Sequence, residues 1–378
     1  MRIKIILWLI PYVFLPGNAQ TPNAGCTTYD GRQGSCISIL KCPPLRQLLV
    51  QISIGNAQFS ELRRNICLLG REPYVCCVFD RSPIPSQPPP ATSPTPSLQP
   101  GGADLLPEQC GIKGLEDRIV AGQPAPLGAW PWMVVLNGKI NNRRTWHCGG
   151  TLISERYVLT AAHCIDPGFG IELDFVRVGE HTIGQDPDCD PFGRCAPRPQ
   201  DIRVERIVKH PSYNKPCKDC NDITLLRLAT PVVLHRRYVM PICLPLNPVE
   251  DMGFPIEELQ GKAAWAAGWG TISQNPFITI TPDILQQVLL PIQRLPFCQS
   301  ITSSYPDQSM VLCAGGDGKD TCRGDSGGPL VVTNNFGSKY FLIGLTSKGP
   351  GACGSKDTQG VYTAIHHYVP WILSNLEP

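Results

Sequence analysis

The sequence carries almost no net charge. Its 378 residues include 33 Lys and Arg against 31 Asp and Glu, which gives a formal charge of +2. It also lacks a basic run with interleaved aromatic residues. Proteins that bind nucleic acid or membrane surfaces through charge concentrate basic residues in one patch or helix. We therefore predict neither a nucleic acid nor a membrane as partner.

Long hydrophobic runs are also missing, because the only marked apolar segment is Ile3–Leu15. A membrane-spanning helix needs about 20 such residues. Arg2 precedes the segment and the small residues Gly17 and Ala19 follow it, which is typical of a secretory signal peptide over residues 1–19. The sequence has no Asn-x-Ser/Thr sequon, so N-glycosylation is not expected. We predict a secreted, extracellular protein.

Cysteine, in contrast, is abundant. An exported chain with 18 cysteines is expected to form disulfides, since oxidising compartments allow them to persist. A high local density of cysteines is typical of small domains that replace a hydrophobic core with cross-links. Spacing alone does not choose among the pairings. Six cysteines lie in one short segment: Cys26, Cys36, Cys42, Cys67, Cys76 and Cys77.

The adjacent pair Cys76-Cys77, with this spacing before it, resembles the clip domain of arthropod serine proteases. Residues 26–77 are therefore predicted to form a clip domain. The Pro-rich segment 78–109 is predicted to be a linker that spaces two domains apart, since its composition favours extended conformations. The resemblance implies the disulfides Cys26–Cys76, Cys36–Cys67 and Cys42–Cys77.

Short runs rich in Val, Ile and Leu, separated by Gly, Pro and Asn turns, continue to the C-terminus. This pattern predicts an all-β fold, and the length of the region suits a sandwich or barrel. A closing helix is predicted after Pro370, over Trp371–Leu376. The clearest strand candidates are Trp132–Leu136, Tyr157–Thr160, Ile223–Leu228 and Leu330–Thr333.

Ser326 is a candidate nucleophile, because the glycines around it allow a tight turn that presents backbone N–H groups to an oxyanion. A serine hydroxyl needs a base, and a histidine serves best near neutral pH. His163 is the candidate base, since small residues and Cys164 surround it. Asp222 precedes an apolar strand and is the candidate carboxylate that orients the imidazole.

These residues lie in three motifs, Thr160-Ala-Ala-His-Cys164, Asn221-Asp-Ile-Thr-Leu-Leu226 and Gly324-Asp-Ser-Gly-Gly-Pro329. The order His, Asp, Ser resembles the chymotrypsin–trypsin family of serine proteases from Cys110 onward. The resemblance implies an all-β fold with two antiparallel β-barrels. It implies that His163 is the general base, that Asp222 orients it, and that Ser326 attacks the scissile carbonyl. Gly324 and Ser326 would form the oxyanion hole.

The same resemblance addresses specificity. Asp320 lies at the position that floors the primary pocket, so cleavage after Arg or Lys is expected. Gly349 and Gly360 match the pocket-wall glycines, and Ser347 is a further substrate-binding candidate. Lys348 departs from the family, which usually has an aromatic residue there. We hypothesise that Lys348 favours acidic residues just upstream of the cleaved bond.

The bond Arg118–Ile119 resembles the activation site of the family. Cleavage would free the Ile119 ammonium to pair with Asp325, which assembles the site and makes the precursor a zymogen. Another trypsin-like enzyme would make the cut, and autoactivation is an alternative. The tail 110–118 would connect the linker to a protease domain over residues 119–378.

Seven cysteines precede the activation bond and eleven follow it, so at least one disulfide crosses it if all are paired within the chain. The resemblance implies Cys110–Cys243, which would keep the clip domain attached, and also Cys148–Cys164, Cys298–Cys313 and Cys322–Cys353. Cys189, Cys195, Cys217 and Cys220 keep three alternative pairings. Sequence proximity favours Cys189–Cys195 and Cys217–Cys220.

A segment from Val178 to His181 resembles the calcium loop of trypsin, with Glu180 as candidate ligand and Asp186, Asp188 and Asp190 nearby. No cofactor is expected for catalysis itself. The sequence thus predicts a secreted serine endopeptidase zymogen with a protein substrate, an upstream activating protease and a serpin-type inhibitor. The setting implied is a cascade in a haemolymph-like fluid, in melanisation, coagulation or Toll-ligand processing. The alternative is a catalytically silent clip-domain homologue that acts as a binding cofactor.

Overall fold

The structure is a computed structural model, and the chain divides into two units, Met1–Ser93 and Pro94–Pro378. The predicted signal peptide lies outside the described residues, as does the linker up to residue 101. None of the helices in the described part of the chain has the length and apolar character needed to cross a bilayer. The described residues are 25–27, 33–38, 42, 66–69, 73–77, 102–113, 123–140, 143–166, 168, 170–273, 278–294, 303–316, 318–349 and 359–378.

The first unit contains a small antiparallel sheet with strand order β1-β2-β4-β3. Disulfides join Cys26 to Cys76, Cys36 to Cys67 and Cys42 to Cys77. Apart from Cys67, these cysteines are buried and form the centre of the unit, as expected where cross-links replace a hydrophobic core. The strands are β1 (Gly25–Thr27), β2 (Gln33–Ser38), β3 (Ile66–Leu69) and β4 (Pro73–Cys77).

The second unit is built from two antiparallel sheets of seven strands each. The first has the order β10-β9-β6-β7-β8-β12-β11, and the second β15-β18-β17-β16-β13-β14-β5. The strands are β5 (Gln123–Pro124), β6 (Met133–Ile140), β7 (Arg143–Leu152), β8 (Tyr157–Thr160), β9 (Glu172–Val178), β10 (Gln200–Ile202), β11 (Val204–Lys209), β12 (Thr224–Leu228), β13 (Ala263–Gly268), β14 (Gln286–Pro291), β15 (Val311–Ala314), β16 (Pro329–Thr333), β17 (Tyr340–Lys348) and β18 (Gly360–Ala364).

Both sheets curl. In the first, β9 contacts β11 although four other strands separate them in the sheet order. In the second, Ile292, which directly follows β14, bridges Ala314 of β15. The predicted all-β fold with two antiparallel barrels is confirmed. Apolar side chains from both sheets, including Leu136, Leu159 and Leu342, form one core, and a second cluster that includes Leu330 and Tyr362 lies in the second sheet.

Within the described residues, two α-helices accompany the sheets, α1 (Pro248–Met252) and α2 (Ile365–Ser374). The sequence predicted that the closing helix follows Pro370, but α2 begins five residues earlier and contains that proline. Proline removes a backbone donor from a helix. The helix persists because Ile365, Tyr368 and Ile372 are buried in the core, and this packing outweighs the loss.

The last part of the predicted linker belongs to the second unit and packs against its core. Residues 102–109 include a 3-10 turn at Ala103–Leu105, and Leu105 and Leu106 contact the core. Gly102 approaches Leu373 so closely that a Cβ atom would lie 2.0 Å from the Leu373 carbonyl oxygen. Leu105 and Leu106 stabilise this contact because their side chains bury apolar area.

Candidate active site

The pairing of β8 with β12 brings His163 and Asp222 together. Thr160, at the end of β8, pairs with Thr224 at the start of β12. His163 follows β8 in a 3-10 turn, and Asp222 lies two residues before the start of β12. The Asp222 carboxylate is 1% exposed. It accepts a hydrogen bond of 2.9 Å from the His163 backbone N–H and lies 2.8 Å from His163 Nδ1.

Two hydroxyl groups from the second sheet fix Asp222 further. Ser347 on β17 donates to Asp222 Oδ2 at 2.6 Å, and Thr363 on β18 donates to the Asp222 carbonyl oxygen at 2.9 Å. Ser347 was predicted to bind substrate, and its side chain has a further role, since it supports the Asp222 carboxylate. Sequence reasoning missed this role, because residues 347 and 222 are 125 positions apart.

The charges around His163 favour its protonated form. Burial of the ring lowers its pKa, but the Asp222 hydrogen bond and the charges of Asp222, Asp219 and Asp166 more than offset this. The net result is a raised pKa for His163. When Nδ1 of an imidazole is hydrogen-bonded to a carboxylate, Nε2 is the nitrogen that takes up and releases the proton. This is the arrangement that a general base requires.

Ser326 lies where the two sheets meet. Its carbonyl oxygen accepts a hydrogen bond of 2.8 Å from the Gly149 N–H of β7, and Cys164 Sγ lies 3.6 Å from the same oxygen. Gly327 has φ of 74°, and a Cβ atom there would lie 2.1 Å from Thr160 Oγ1. Only glycine fits this turn, which places the backbone of Ser326 beside the turn that carries His163.

The backbone N–H groups of Ser326 and of Gly324, two residues before it, are available to a ligand. Gly324 has φ of 103°, a conformation that favours glycine. Within the described part of the chain, neither the Gly324 nor the Ser326 N–H donates a hydrogen bond to another residue. Such free donors beside a nucleophile suit a developing oxyanion.

Asp320 lies close to two glycines, Gly349 and Gly360. Cβ atoms built on Gly360 and Gly349 would lie 2.8 Å and 3.8 Å from its carboxylate oxygens. The Thr321 N–H donates to Asp320 Oδ1 at 2.8 Å, whereas Oδ2 is buried without a partner among the described residues. Burial, and to a smaller extent the Asp325 charge, raises the pKa of Asp320 to about 7. A cation of matching shape would relieve this cost.

Asp325 lines a cavity of about 210 Å³, which Asp320 also lines. Its carboxylate accepts hydrogen bonds from the Gly270 N–H at 2.8 Å and the Cys322 N–H at 2.9 Å. A Cβ atom on Gly268 would lie 2.1 Å from Asp325 Oδ1, so glycine makes room for the carboxylate. Burial raises the pKa of Asp325 to about 6. The activation residues 118 and 119 lie outside the described residues.

The comparison with known families decides the identity of the chain. A family model described as Trypsin matches residues 119–372, and one described as Regulatory CLIP domain of proteinases matches residues 26–77. The chain is a clip-domain serine protease of the trypsin family. The predicted family and the predicted class of enzyme, a trypsin-like serine endopeptidase, are confirmed.

Relatives of this clip-domain protease match over nearly their whole length. It is 36% identical to Serine protease ea of Drosophila melanogaster, covering 95% of this chain and 93% of the relative. It is 34% identical to Phenoloxidase-activating factor 1 of Holotrichia diomphalia, covering 99% and 98%. It is 35% identical to Spaetzle-processing enzyme of Drosophila melanogaster, covering 95% and 93%. A crystal structure of the Drosophila Grass clip serine protease of the Toll pathway matches with a TM-score of 0.61 and 29% identity, covering 93% and 97%.

The disulfides of the protease domain brace the site. Cys148 is bonded to Cys164, next to His163, and Cys110 is bonded to Cys243. The sequence left the pairing of four cysteines open. In the structure Cys189 is bonded to Cys195, and Cys217 is bonded to Cys220. Cys313 and Cys322 are also disulfide-bonded, while their predicted partners, Cys298 and Cys353, lie outside the described residues.

The predicted calcium site does not fit the protease as folded. Glu180 accepts hydrogen bonds from the His181 N–H at 3.1 Å and from Arg177 Nη1 at 3.0 Å. Asp188 accepts from the N–H groups of His181 and Thr182, each at 3.0 Å. Calcium prefers carboxylate oxygens that are free to coordinate. Here an arginine cation and backbone donors occupy them, so Glu180 is a poor calcium ligand. Trypsin-like serine proteases need no cofactor for catalysis.

Of the other acidic residues in this loop, Asp190 binds Arg194 at 2.6 Å and Asp186 lies 4.0 Å from Arg198. The sequence motif placed acids close together but did not show that arginines would neutralise them. Arg177 also binds both carboxylate oxygens of Asp201, at 2.6 and 2.8 Å. This chain therefore stabilises the loop with its own cations.

Proposed function

We propose that this protease is a secreted zymogen, activated by cleavage at Arg118–Ile119, which hydrolyses peptide bonds after Arg or Lys in an extracellular cascade. The observation that carries the specificity is the buried Asp320 carboxylate between Gly349 and Gly360, with one oxygen that has no partner among the described residues. A guanidinium or ammonium group supplies the missing donors and the countercharge.

The proposed reaction uses the groups already described. The Ser326 hydroxyl attacks the scissile carbonyl while His163 Nε2 takes its proton. Asp222 stabilises the imidazolium that forms, since it holds His163 Nδ1 at 2.8 Å. The negative charge on the carbonyl oxygen is received by the N–H groups of Gly324 and Ser326. His163 then protonates the leaving amine, and water hydrolyses the acyl-enzyme in the same way.

Activation is proposed to complete the site. The Ile119 ammonium would enter the cavity beside Asp325, whose carboxylate carries two backbone hydrogen bonds but a raised pKa of about 6. A buried ion pair formed only after cleavage acts as a switch. The Cys110–Cys243 disulfide would retain the N-terminal segment after the cut.

The relatives suggest the setting. Their names refer to phenoloxidase activation and Spaetzle processing, and members of this family are extracellular secreted proteases. We therefore propose a protein substrate in melanisation, coagulation or Toll-ligand processing. An upstream trypsin-like protease would activate the zymogen, with autoactivation as the alternative, and a serpin-type inhibitor would stop the enzyme.

The test is hydrolysis of small peptide amides by the secreted chain, before and after cleavage at Arg118. Arg and Lys amides should be cut only after activation, Phe amides should be inert, and Ser326→Ala should abolish the activity. Equal inertness of the activated wild type and Ser326→Ala would overturn the proposal. It would favour the catalytically silent homologue that acts as a binding cofactor.

A further inference from the structure

One end of β17 extends beyond its neighbour. Strand β16 pairs with β17 only up to Pro329↔Leu345, so residues 347–349 run past the start of β16. Ser347 reaches the catalytic carboxylate of Asp222, and Gly349 faces Asp320. This short segment therefore runs from the triad to the floor of the specificity pocket.

A bound substrate has to follow this segment. Its basic side chain must reach Asp320 while its scissile carbonyl meets Ser326, so the residues just before the basic one lie along positions 347–349. An extended peptide binds to an unpaired edge of this kind by adding a strand to the sheet. The side chain of Lys348, between Ser347 and Gly349, therefore lines the path of the upstream substrate residues.

The charge of Lys348 is already paired. Its Nζ lies 3.2 Å from Asp219 Oδ2 and 5.1 Å from the centre of the Tyr305 ring. Both charged side chains are partly exposed, Lys348 by 26% and Asp219 by 25%. The pair is thus accessible to a substrate and presents no net charge to it.

Asp219 is held in position from several sides. It has φ of 64°, and its N–H donates to Asn214 Oδ1 at 2.8 Å. Its carbonyl oxygen accepts a hydrogen bond of 3.4 Å from the Tyr305 hydroxyl. The Cys217–Cys220 disulfide closes the turn around it. These constraints keep Asp219 against Lys348 and lower the entropy that an ion pair between mobile side chains would lose.

We propose that Asp219 determines the charge preference of the protease for the residues just upstream of the cleaved Arg or Lys, by neutralising Lys348. This inference rests on the proposed function, since it concerns the same cleft. It also revises the preference for acidic residues that Lys348 alone predicts. The intact pair accepts acidic, neutral and basic residues nearly equally, and loss of either partner creates a preference.

The test compares three peptide amides that carry Asp, Ala or Lys directly before the cleaved Arg. Activated wild type should cleave all three with kcat/KM values within about twofold of one another. Asp219→Asn should favour the Asp peptide over the Lys peptide by about threefold to fivefold, the range of a partly exposed ion pair. Lys348→Met should favour the Lys peptide by a similar factor. The double variant should return to near equality.

Two matched controls change charge away from the cleft. Glu250→Gln on α1 repeats the change from carboxylate to amide. Lys262→Met repeats the loss of an ammonium, which here lies 4.1 Å from the centre of the Phe254 ring. Neither should alter the ratios. Because each ratio is taken within one variant, a general loss of activity cancels. Asp219→Ser and Lys348→Gln repeat both changes with different side chains.

The same ratios should appear in binding. Calorimetry with Ser326→Ala, cleaved at Arg118, and product peptides that end in Arg gives Kd values without catalysis. Suppose that the activated wild type hydrolyses no peptide amide, but that Asp219→Asn and Lys348→Met change the Kd ratio of the Asp and Lys peptides in opposite directions. That result would overturn the proposed function and support the inference about the charge of the cleft. Active wild type with unchanged ratios in both single variants would overturn the inference alone. Equal shifts in the control variants would also overturn it.

Discussion

At the scale of single residues, the Asp222 carboxylate shows how the site balances charge. It accepts hydrogen bonds from the His163 backbone and from Ser347 Oγ while it orients the imidazole. Each donated hydrogen bond stabilises the carboxylate and weakens its hold on the imidazolium proton. Ser347 is therefore a positioning residue that tunes His163 through Asp222.

This role of Ser347 leads to a prediction on the pH profile. In Ser347→Ala the carboxylate loses one donor, so it stabilises the His163 cation more strongly and raises the pKa of His163 further. The acid limb of the kcat/KM profile should move to higher pH by about half a unit. At neutral pH, kcat should fall by no more than about threefold while KM changes little, since half a pH unit corresponds to about a threefold change in the deprotonated fraction. Thr363→Ser, which retains its hydroxyl, should leave the profile in place. An unshifted limb in Ser347→Ala would show that Ser347 only packs.

The pocket carboxylate gives a second prediction at this scale. The pKa of Asp320 is raised to about 7, because burial penalises the charged form. A cationic ligand needs the ionised carboxylate, so binding competes with protonation below that pH. The Kd of benzamidine should therefore rise as pH falls below 7, by up to about tenfold per pH unit.

Against the effect of burial, the pKa of His163 is raised as well, chiefly by its hydrogen bond to Asp222, so the benzamidine measurement needs a control. The dependence should persist in His163→Ala and disappear in Asp320→Asn, which should bind benzamidine weakly at every pH. Calorimetry at a series of pH values measures both. If His163→Ala abolished the dependence, the histidine and not Asp320 would be the titrating group.

At the scale of elements, continuous apolar strands were predictable and the loops were not. β8 has the predicted bounds Tyr157–Thr160, because a buried strand reads as an uninterrupted apolar run. The loop before Asp222 gave no comparable signal. Asn214, Asp219 and Asn221 all have positive φ there, a backbone set by side-chain hydrogen bonds and not by periodicity. The sequence also did not predict that Asp219 is the partner of Lys348, since Asp219 lies in this loop and is 129 positions away.

Asn221 is predicted to be the main support of this loop. Its φ is 55°, a conformation that Asn tolerates better than most residues. Its side chain donates to the carbonyl oxygens of Ser212 and Lys215 and accepts from the Tyr368 hydroxyl. Asn221→Ala should lower the free energy of unfolding by about 2–4 kcal/mol, as expected for a buried hydrogen-bond network. Denaturant titration measures this. Asn214→Gly, at a second left-handed position, should cost much less, and equal losses would contradict the assignment.

At the scale of the whole protease domain, the site forms where the two sheets touch. Gly149 of β7 packs against Gly328, with a built Cβ atom 3.0 Å from its Cα, and bonds the Ser326 carbonyl. The motifs predicted which residues meet, because each lies at a strand end. They did not predict that the calcium loop carries its own arginine, or that Ser347 faces Asp222. Those contacts depend on how distant strands are packed together.

The cavity beside Asp325 leads to a prediction about the activated molecule as a whole. In the uncut chain the pKa of Asp325 is raised from its ordinary 3.8 to about 6. Folding therefore favours the protonated form. As pH rises from about 4 to 6, this group makes the uncut chain progressively less stable, and above pH 6 the loss of stability stays constant. The Ile119 ammonium would stabilise the ionised form and remove that penalty.

Cleavage at Arg118 should thus raise the Tm of the protease domain by several degrees above pH 6, since each kcal/mol shifts Tm by roughly 2–4 °C in a domain of this size. The increase should shrink as pH falls from 6 towards 4, because the carboxyl of the uncut chain is then protonated and carries no penalty for cleavage to remove. Calorimetry in a Ser326→Ala background avoids self-digestion. Asp325→Asn should show no such pH-dependent increase on cleavage. If its Tm rose as much as that of the parent, the new N-terminus would be stabilising the domain elsewhere than at Asp325.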